Sequence, residues 1–175
     1  TFAQAGEVDS TFGNNGYVTT NTGNEFSFAS SMQIQADGKI VVVGSGFING
    51  DETFMAVRYN ADGSIDNSFD GDGLAQYNFS SYQETATSVS VQTDGKIVVA
   101  GIVSNSLPVY PGQPIFFNEF DVALIRYLPN GSLDSGFGMG GNINFITSTY
   151  SEEATRVLVQ TDGKIIVTGN KYYNG

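Results

Sequence analysis

The sequence predicts an all-β protein built of β-propeller blades, and three observations carry that prediction. The chain repeats itself three times in a fixed internal register, each copy holds short strand-like stretches without helical periodicity, and one sheet of that size cannot cover both its faces. The register is read from three anchors. An Asp-x-x-Phe-x-x-x-Gly element occurs at Asp9/Phe12/Gly16, Asp66/Phe69/Gly73 and Asp134/Phe137/Gly141. An Asp-Gly-Lys-Ile element follows at Asp37-Gly38-Lys39-Ile40, Asp94-Gly95-Lys96-Ile97 and Asp162-Gly163-Lys164-Ile165, and in each copy the Lys stands 30 residues after the motif Asp. Arg-Tyr comes next, at Arg58-Tyr59 and Arg126-Tyr127, with the Arg 8 residues before the following motif Asp. Only the Lys-to-Arg span changes, from 19 residues to 30, so the periods of 57 and 68 differ by one elastic loop.

The elements are justified in order from the first copy. Residues 17–21 follow the motif Gly, residues 31–35 alternate apolar and polar, residues 39–44 are a continuous apolar run, and residues 54–59 precede a turn. The middle two are joined by Asp37-Gly38, read as a two-residue hairpin loop in which Gly supplies the positive φ. Alternation in Met32/Ile34, Val89/Val91 and Val157/Val159 predicts one buried face, whereas the runs 40–43, 97–100 and 165–167 predict strands buried on both. Each run stops at Gly44, Gly101 or Gly169, where a Cβ would crowd a neighbouring backbone or a turn.

These elements are expected to make one β-repeat domain over residues 1–175, itself incomplete, with repeats at about 9–65, 66–133 and a truncated 134–175. Propellers close with about four to eight blades, so further blades from the same or another chain are expected. A β-solenoid-like array is the alternative, although solenoid coils usually need far fewer residues per turn.

Composition narrows the chemistry. A net charge of −11 repels phosphate backbones and anionic membrane surfaces, so neither nucleic acid nor direct membrane insertion is expected. With no Cys, His or Trp, the chain has no thiolate or imidazole metal site and no Ser-His-Asp or Cys-His catalysis. The pattern Ala3-Gln4-Ala5 reads as a signal-peptidase site, which predicts export.

Three stretches carry a family likeness: Val8-Asp9-Ser10-Thr11-Phe12-Gly13, Val91-Gln92-Thr93-Asp94-Gly95-Lys96-Ile97-Val98-Val99-Ala100-Gly101, and Ala123-Leu124-Ile125-Arg126-Tyr127-Leu128-Pro129-Asn130-Gly131-Ser132. Together they resemble the delta-60 repeat family of bacterial secreted and surface proteins. The resemblance implies a β-propeller-like fold and export, often in Bacteroidetes by the type 9 secretion route. It brings no catalytic motif, and no C-terminal sorting domain is visible in the sequence.

Several residues are weighed for chemistry. Lys39, Lys96, Lys164, Arg58 and Arg126 recur with the motifs, so they are expected to bridge a motif Asp or a turn carbonyl within a blade rather than to ring a channel with cations. Asp70 and Asp72 form an Asp-x-Asp-Gly fragment of the kind seen in calcium loops. The equivalent positions in the other copies lack both acids, so a plain turn is the expectation and calcium the alternative. No other cofactor is expected. Glu84, Glu152 and Glu153 are the only acids nominated for a glycosidase pair, which needs carboxylates about 5–10 Å apart, and solvated loop charge is the expected reading.

The elastic loop, residues 104–120, holds three of the four prolines together with Tyr110, Phe116, Phe117 and Phe120. Stiff backbone and aromatic anchors suit recognition of a protein or glycan, whereas the other reading folds the loop over a blade edge. The expected function is a non-enzymatic secreted or cell-surface protein presenting loops for protein or glycan binding, adhesin-like or part of a surface complex, and a candidate type 9 cargo. The alternatives are an extracellular polysaccharide-active enzyme or lectin-like domain, and a structural spacer.

Overall fold

The computed structural model describes residues 6–23, 27–48, 50–79, 83–104, 120–145 and 151–172, and these form β-strands and no helix. Strands β1 (Ser27–Ile34), β2 (Ile40–Ile48), β3 (Asp51–Tyr59) and β4 (Leu74–Tyr77) make one antiparallel meander in that order. A second is made of β5 (Gln83–Val91), β6 (Ile97–Ser104), β7 (Phe120–Tyr127) and β8 (Asn142–Phe145). In the third sheet, β9 (Ser151–Val159) pairs with β10 (Ile165–Tyr172). No helix of the described residues is long and apolar enough to cross a membrane. The chain is thus an all-β protein of antiparallel blades, the fold the repeats predict.

The sheets and the sequence repeats are out of phase by one strand. The fourth strand of the first sheet lies beyond Asp66, inside the second sequence copy, because Asp66 N–H donates to Arg58 O and Arg58 N–H to Gly73 O, folding the motif turn back onto β3. The equivalent residues 17–21 do not form the first strand expected of them; Tyr17 makes only an isolated bridge with Asn14. Sequence spacing fixes which segments are extended, but a strand between two possible neighbours shows no preference in its own residues. The Asp37-Gly38 turn also departs from the two-residue reading. Gly38 N–H closes a turn on Gln35 O, then Gly38 takes φ 83°, the pattern of a three-residue loop with glycine at its left-handed position.

Neighbouring sheets stack face to face. Strand β5 lies across β1, β2 and β3, and β9 lies across β5, β6 and β7. The first interface buries Val41, Val43, Phe54 and Phe69 against Ile97, Val99, Ile125 and Tyr127; the second buries Val98, Ala100 and Leu124 against Ala154 and Val157. Alternate residues of β6 therefore serve two different cores, and each fully buried Ile or Val contributes about 1.5–3 kcal/mol. Burial on both faces holds for run 97–100, but Ile166 of the third sheet is 42% exposed. The single buried face holds for Val89 and Val157, while Met32 and Ile34 are exposed. The reason is position: the Met32 face of β1 points away from the second sheet, and no preceding sheet lies among the described residues.

The three run-ending glycines have one physical cause. Each faces a β-bulge on the partner strand, between Ala29 and Ser31, between Ala86 and Ser88, and between Ala154 and Arg156. There the partner backbone presses so close that a Cβ would meet Phe28 O at Gly44, Thr85 O at Gly101 and Glu153 O at Gly169, all well inside contact distance. The bulged residues are put to use across the stack. The Ser30 hydroxyl donates to Ala86 O, and Thr87, at the same place in the next sheet, donates to Ala154 O at 2.7 Å.

Candidate functional site at the loop end of the sheets

The meander gives every sheet two ends of different character. At the turn end lie the Asp-Gly-Lys turns and the motif Asp. At the loop end lie the β2–β3 and β6–β7 connections and the links from one sheet to the next.

The turn end is built of the repeated charges. Lys39 Nζ and Arg58 Nε both donate to Asp66 Oδ2 at 2.7 Å, while Asp66 Oδ1 accepts the Ser68 amide at 3.1 Å and its hydroxyl at 2.7 Å. Burial pushes the Asp66 carboxyl up, but the bonds from Lys39, Ser68 and Arg58 outweigh it and hold the group far below the usual carboxylate range. In the second sheet Arg126 Nε lies 2.8 Å and Lys96 Nζ 3.6 Å from Asp134 Oδ2, and the Asp134 carboxyl is likewise held low. Each guanidinium also covers the motif ring, Arg58 over Phe69 at 4.6 Å and Arg126 over Phe137 at 4.5 Å. Arg58 further donates to Pro129 O of the neighbouring sheet. Together these contacts tie the strand, the motif turn and the next blade, so Lys39, Arg58, Lys96 and Arg126 are engaged in the scaffold, whereas Lys164 meets no motif Asp and instead lies 2.6 Å from Asp162 of its own turn, exposed.

The loop end is acidic and differs from copy to copy. Glu84 is fully buried in β5, Glu152 and Glu153 belong to β9, and Asp121 is buried at the start of β7. The expectation of solvated loop charge is therefore corrected: these acids stand in strands, where the pleat aims them. Glu84 and Asp121 both pair with Val103, one on each side, so they flank it on one face of the second sheet. In the third sheet Lys171 takes the place of Val103, and its Nζ lies 3.0 Å from Glu152 Oε1. Glu153 Oε2 accepts the Tyr172 hydroxyl at 3.2 Å, and Glu52 Oε1 accepts Thr85 Oγ1 at 2.9 Å. The Tyr77 hydroxyl accepts Asn142 Nδ2 at 2.7 Å; burial and then the Glu84 charge push its ionisation up, against the Asn142 bond.

Of the aromatic candidates, Phe120 opens β7, half-buried, opposite Ser104, with its N–H donating to Ser151 Oγ at 3.0 Å. It belongs to the sheet. Tyr110, Phe116 and Phe117 lie outside the described residues. Asp70 and Asp72 sit in the β3–β4 connection at the turn end. Asp70 takes φ 50° and its N–H donates to Asn130 O at 2.7 Å, while Asp72 Oδ1 accepts the Leu74 N–H at 2.9 Å. Burial and then Asp72 push the Asp70 carboxyl up, which disfavours two adjacent charges without a cation. Among the described residues no group of three or more acids is gathered that could hold a metal ion.

Sequence reasoning missed Glu52 and Asp121. The signal was present in the strand alternation, since both fall at strand starts in otherwise buried runs. The contrast between the ends is plain at equivalent positions: Lys39/Lys96/Lys164, Arg58/Arg126 and Asp66/Asp134 are identical, whereas Ser27/Glu84/Glu152, Gly46/Val103/Lys171 and Thr53/Asp121 differ.

Stacked four-stranded antiparallel sheets with this repeated turn-end lock define the class as β-propeller blades. The comparison with protein families agrees: residues 35–69 and 116–137 match a domain of unknown function (DUF5122) described as a beta-propeller. The matched stretches contain Lys39, Arg58, Asp66 and Phe69, then Arg126, Asp134 and Phe137, so the likeness lies in the scaffold. No curated protein matches the chain.

Proposed function

We propose that this is a non-enzymatic, exported propeller-repeat protein of the delta-60 kind, whose loop end binds a protein or glycan at a cell surface. The observation that carries the reading is the contrast between the two ends of the sheets. Residues of the turn end are held constant and are engaged in packing, whereas the loop end varies in charge and takes all the length change of the repeat. A surface freed from scaffold duty at the tip of rigid sheets is where recognition evolves without loss of fold. Export is supported by Ala3-Gln4-Ala5 and by the delta-60 resemblance, and a type 9 cargo is the corresponding route. The net charge of −11 favours protein or neutral glycan over nucleic acid.

A polysaccharide-active enzyme is the second reading, favoured only by the acids of the loop end. Glu84 is fully buried and Glu152 is paired with Lys171, which suits packing better than proton transfer. Both readings are tested with one protein pair. Residues 105–119 are replaced by the sequence of residues 48–51, and wild type and variant are compared on arrays of immobilised bacterial polysaccharides and cell-surface proteins. Binding by wild type that the folded variant loses is the expected result. Equal binding by both, or no binding by either, sinks the proposal; release of reducing ends that Glu84→Gln abolishes favours the enzyme.

A further inference from the structure

An Asp-Gly pair can react with itself. The side-chain carbonyl carbon stands one five-membered ring away from the next residue's amide nitrogen, and glycine has no side chain to hinder the approach. The chain has six such pairs, beginning at Asp37, Asp62, Asp70, Asp72, Asp94 and Asp162. In five of them the fold engages both reacting groups. The N–H groups of Gly38, Gly63, Gly73, Gly95 and Gly163 donate to Gln35, Asn60, Phe69, Gln92 and Gln160 O. The five carboxylates accept the N–H two residues on, from Lys39, Ser64, Leu74, Lys96 and Lys164, as Asx turns. Asp70-Gly71 differs on both counts. Among the described residues, neither the Gly71 N–H nor the Asp70 carboxyl makes a hydrogen bond. Both residues are exposed, and no atom lies within 4 Å of where a Cβ on Gly71 would stand, so water reaches the pair. Desolvation and then the Asp72 charge push the Asp70 carboxyl up, which enlarges the neutral form that is able to lose its hydroxyl.

We propose that Asp70-Gly71 is a self-modification site, at which the Gly71 nitrogen attacks Asp70 Cγ and the peptide link passes from the main chain to the side chain. The N–Cγ bond forms as the Gly71 amide proton and the carboxyl hydroxyl leave as one water, closing a cyclic imide. A second water opens it. Attack at Cγ restores aspartate, whereas attack at the main-chain carbonyl carbon breaks the original bond to Gly71 and leaves an isoaspartyl link with a free carboxylate on Cα. No oxidant, cofactor or enzyme takes part. The modified residue lies on the seam between two sheets. Asp70 N–H donates to Asn130 O at 2.7 Å, tying the motif turn of the first sheet to the turn 128–132 that follows β7. The two backbones touch there, since a Cβ on Gly131 would meet Asp70 N at 2.5 Å. The isoaspartyl link adds one atom to the chain between Phe69 O and Gly73 N, which are hydrogen-bonded at 2.7 Å, and moves the carboxylate next to the amide that Asn130 holds. The seam is loosened as a result.

The test keeps the whole folded chain in heavy-oxygen water at mildly acidic pH and maps label and isoaspartate by peptide fragmentation. Each opening of the imide fixes one solvent oxygen, so the label counts passages through the imide at each pair. A glycine N–H that must first leave its hydrogen bond reacts about tenfold more slowly, so Asp70 is expected to lead the other five by about that factor. In urea all six pairs lose their turns, and the lead is expected to vanish. Asp70→Asn changes a side chain that makes no hydrogen bond, and the new amide passes through the same imide by losing ammonia. It is expected to deamidate about tenfold ahead of Asn15-Gly16 and Asn130-Gly131, whose glycine N–H groups donate to Phe12 O and Leu128 O. The isolated isoaspartyl protein is expected to exchange its amide hydrogens faster across residues 128–132. Label spread evenly over the six pairs of the folded chain, a lead at another pair, or a lead for Asp70 that persists in urea would overturn the site. Unchanged exchange across residues 128–132 would overturn its effect on the seam.

Discussion

The ring of Tyr127 stands edge-on to the ring of Phe69, centroids 6.3 Å apart and planes at 68°, joining the Arg-Tyr strand of the second sheet to the motif turn of the first. Both residues are buried, and the Tyr127 hydroxyl has no hydrogen-bond partner among the described residues. Burial, then the charges of Asp70 and Tyr77, push its ionisation far above the usual tyrosine range. A buried hydroxyl without a partner costs stability, so Tyr127→Phe is expected to leave stability unchanged or raise it by about 1 kcal/mol. Truncation to Tyr127→Ala removes the ring and is expected to cost about 3–5 kcal/mol. Urea unfolding of the two variants checks this; a large loss in Tyr127→Phe would mean the hydroxyl is satisfied and useful.

Asp66 anchors the turn end of the first sheet, with its side chain 7% exposed and that of Arg58 6% exposed. Asp66→Asn leaves the Arg58 charge buried without its counter-ion and is expected to cost about 3–5 kcal/mol near neutral pH. The sign of the pH dependence follows from the depressed carboxyl. The native state holds the proton off more strongly than the unfolded chain does, so the stabilisation is complete above the ordinary Asp value of about 3.9. It is lost as pH falls from there through the lower native value. The difference between wild type and Asp66→Asn, followed by urea unfolding from pH 7 to pH 2, is therefore expected to be flat above about pH 5 and to shrink below about pH 4. A difference that grows on acidification would contradict this account.

Gly101 faces backbone on one side and a neighbouring sheet on the other: an added Cβ would meet Thr85 O and Phe54 Cζ. For Gly44 and Gly169 the three nearest atoms are all backbone of the partner strand. None of the three adopts a positive φ, so their need for glycine is steric. Substitution by Ala at each site is expected to be destabilising, by about 1–3 kcal/mol or more as for other overpacked cores, and Gly101→Ala most of all. Thermal unfolding of the three variants ranks them; a harmless Gly101→Ala would show that the bulge relaxes freely.

The scaffold was legible in the sequence because each copy must solve the same packing problem with the same residues. Asp66, Arg58 and Lys39 meet at one carboxylate, and their fixed spacing announced it. Gly44, Gly101 and Gly169 were legible for the same reason. The phase of the sheets was not, since residues 74–77 look alike whether they begin one blade or end another, and the motif turn that decides it acts through backbone hydrogen bonds. Burial of Met32 was misjudged because it depends on whether a sheet lies against its face. At the loop end, Glu84 was read as a loop charge, although its place two residues before Ala86 put it on the inward face of β5. Recognition residues have no repeat to average over, so sequence could nominate Tyr110, Phe116 and Phe117 only by composition.

A fixed turn end is separated from a loop end free to change, and equilibrium urea unfolding of the loop-shortened protein tests that separation most directly. Replacing residues 105–119 by the sequence of residues 48–51 keeps the strand register that Phe47 and Glu52 hold in the first sheet, where Ser104 and Phe120 stand in the second. A shorter connection costs less closure entropy, so the predicted result is one cooperative transition with stability equal to wild type or higher by about 1 kcal/mol. A loss of several kcal/mol, or a broadened transition, would show that the loop is part of the scaffold and contradict the assignment.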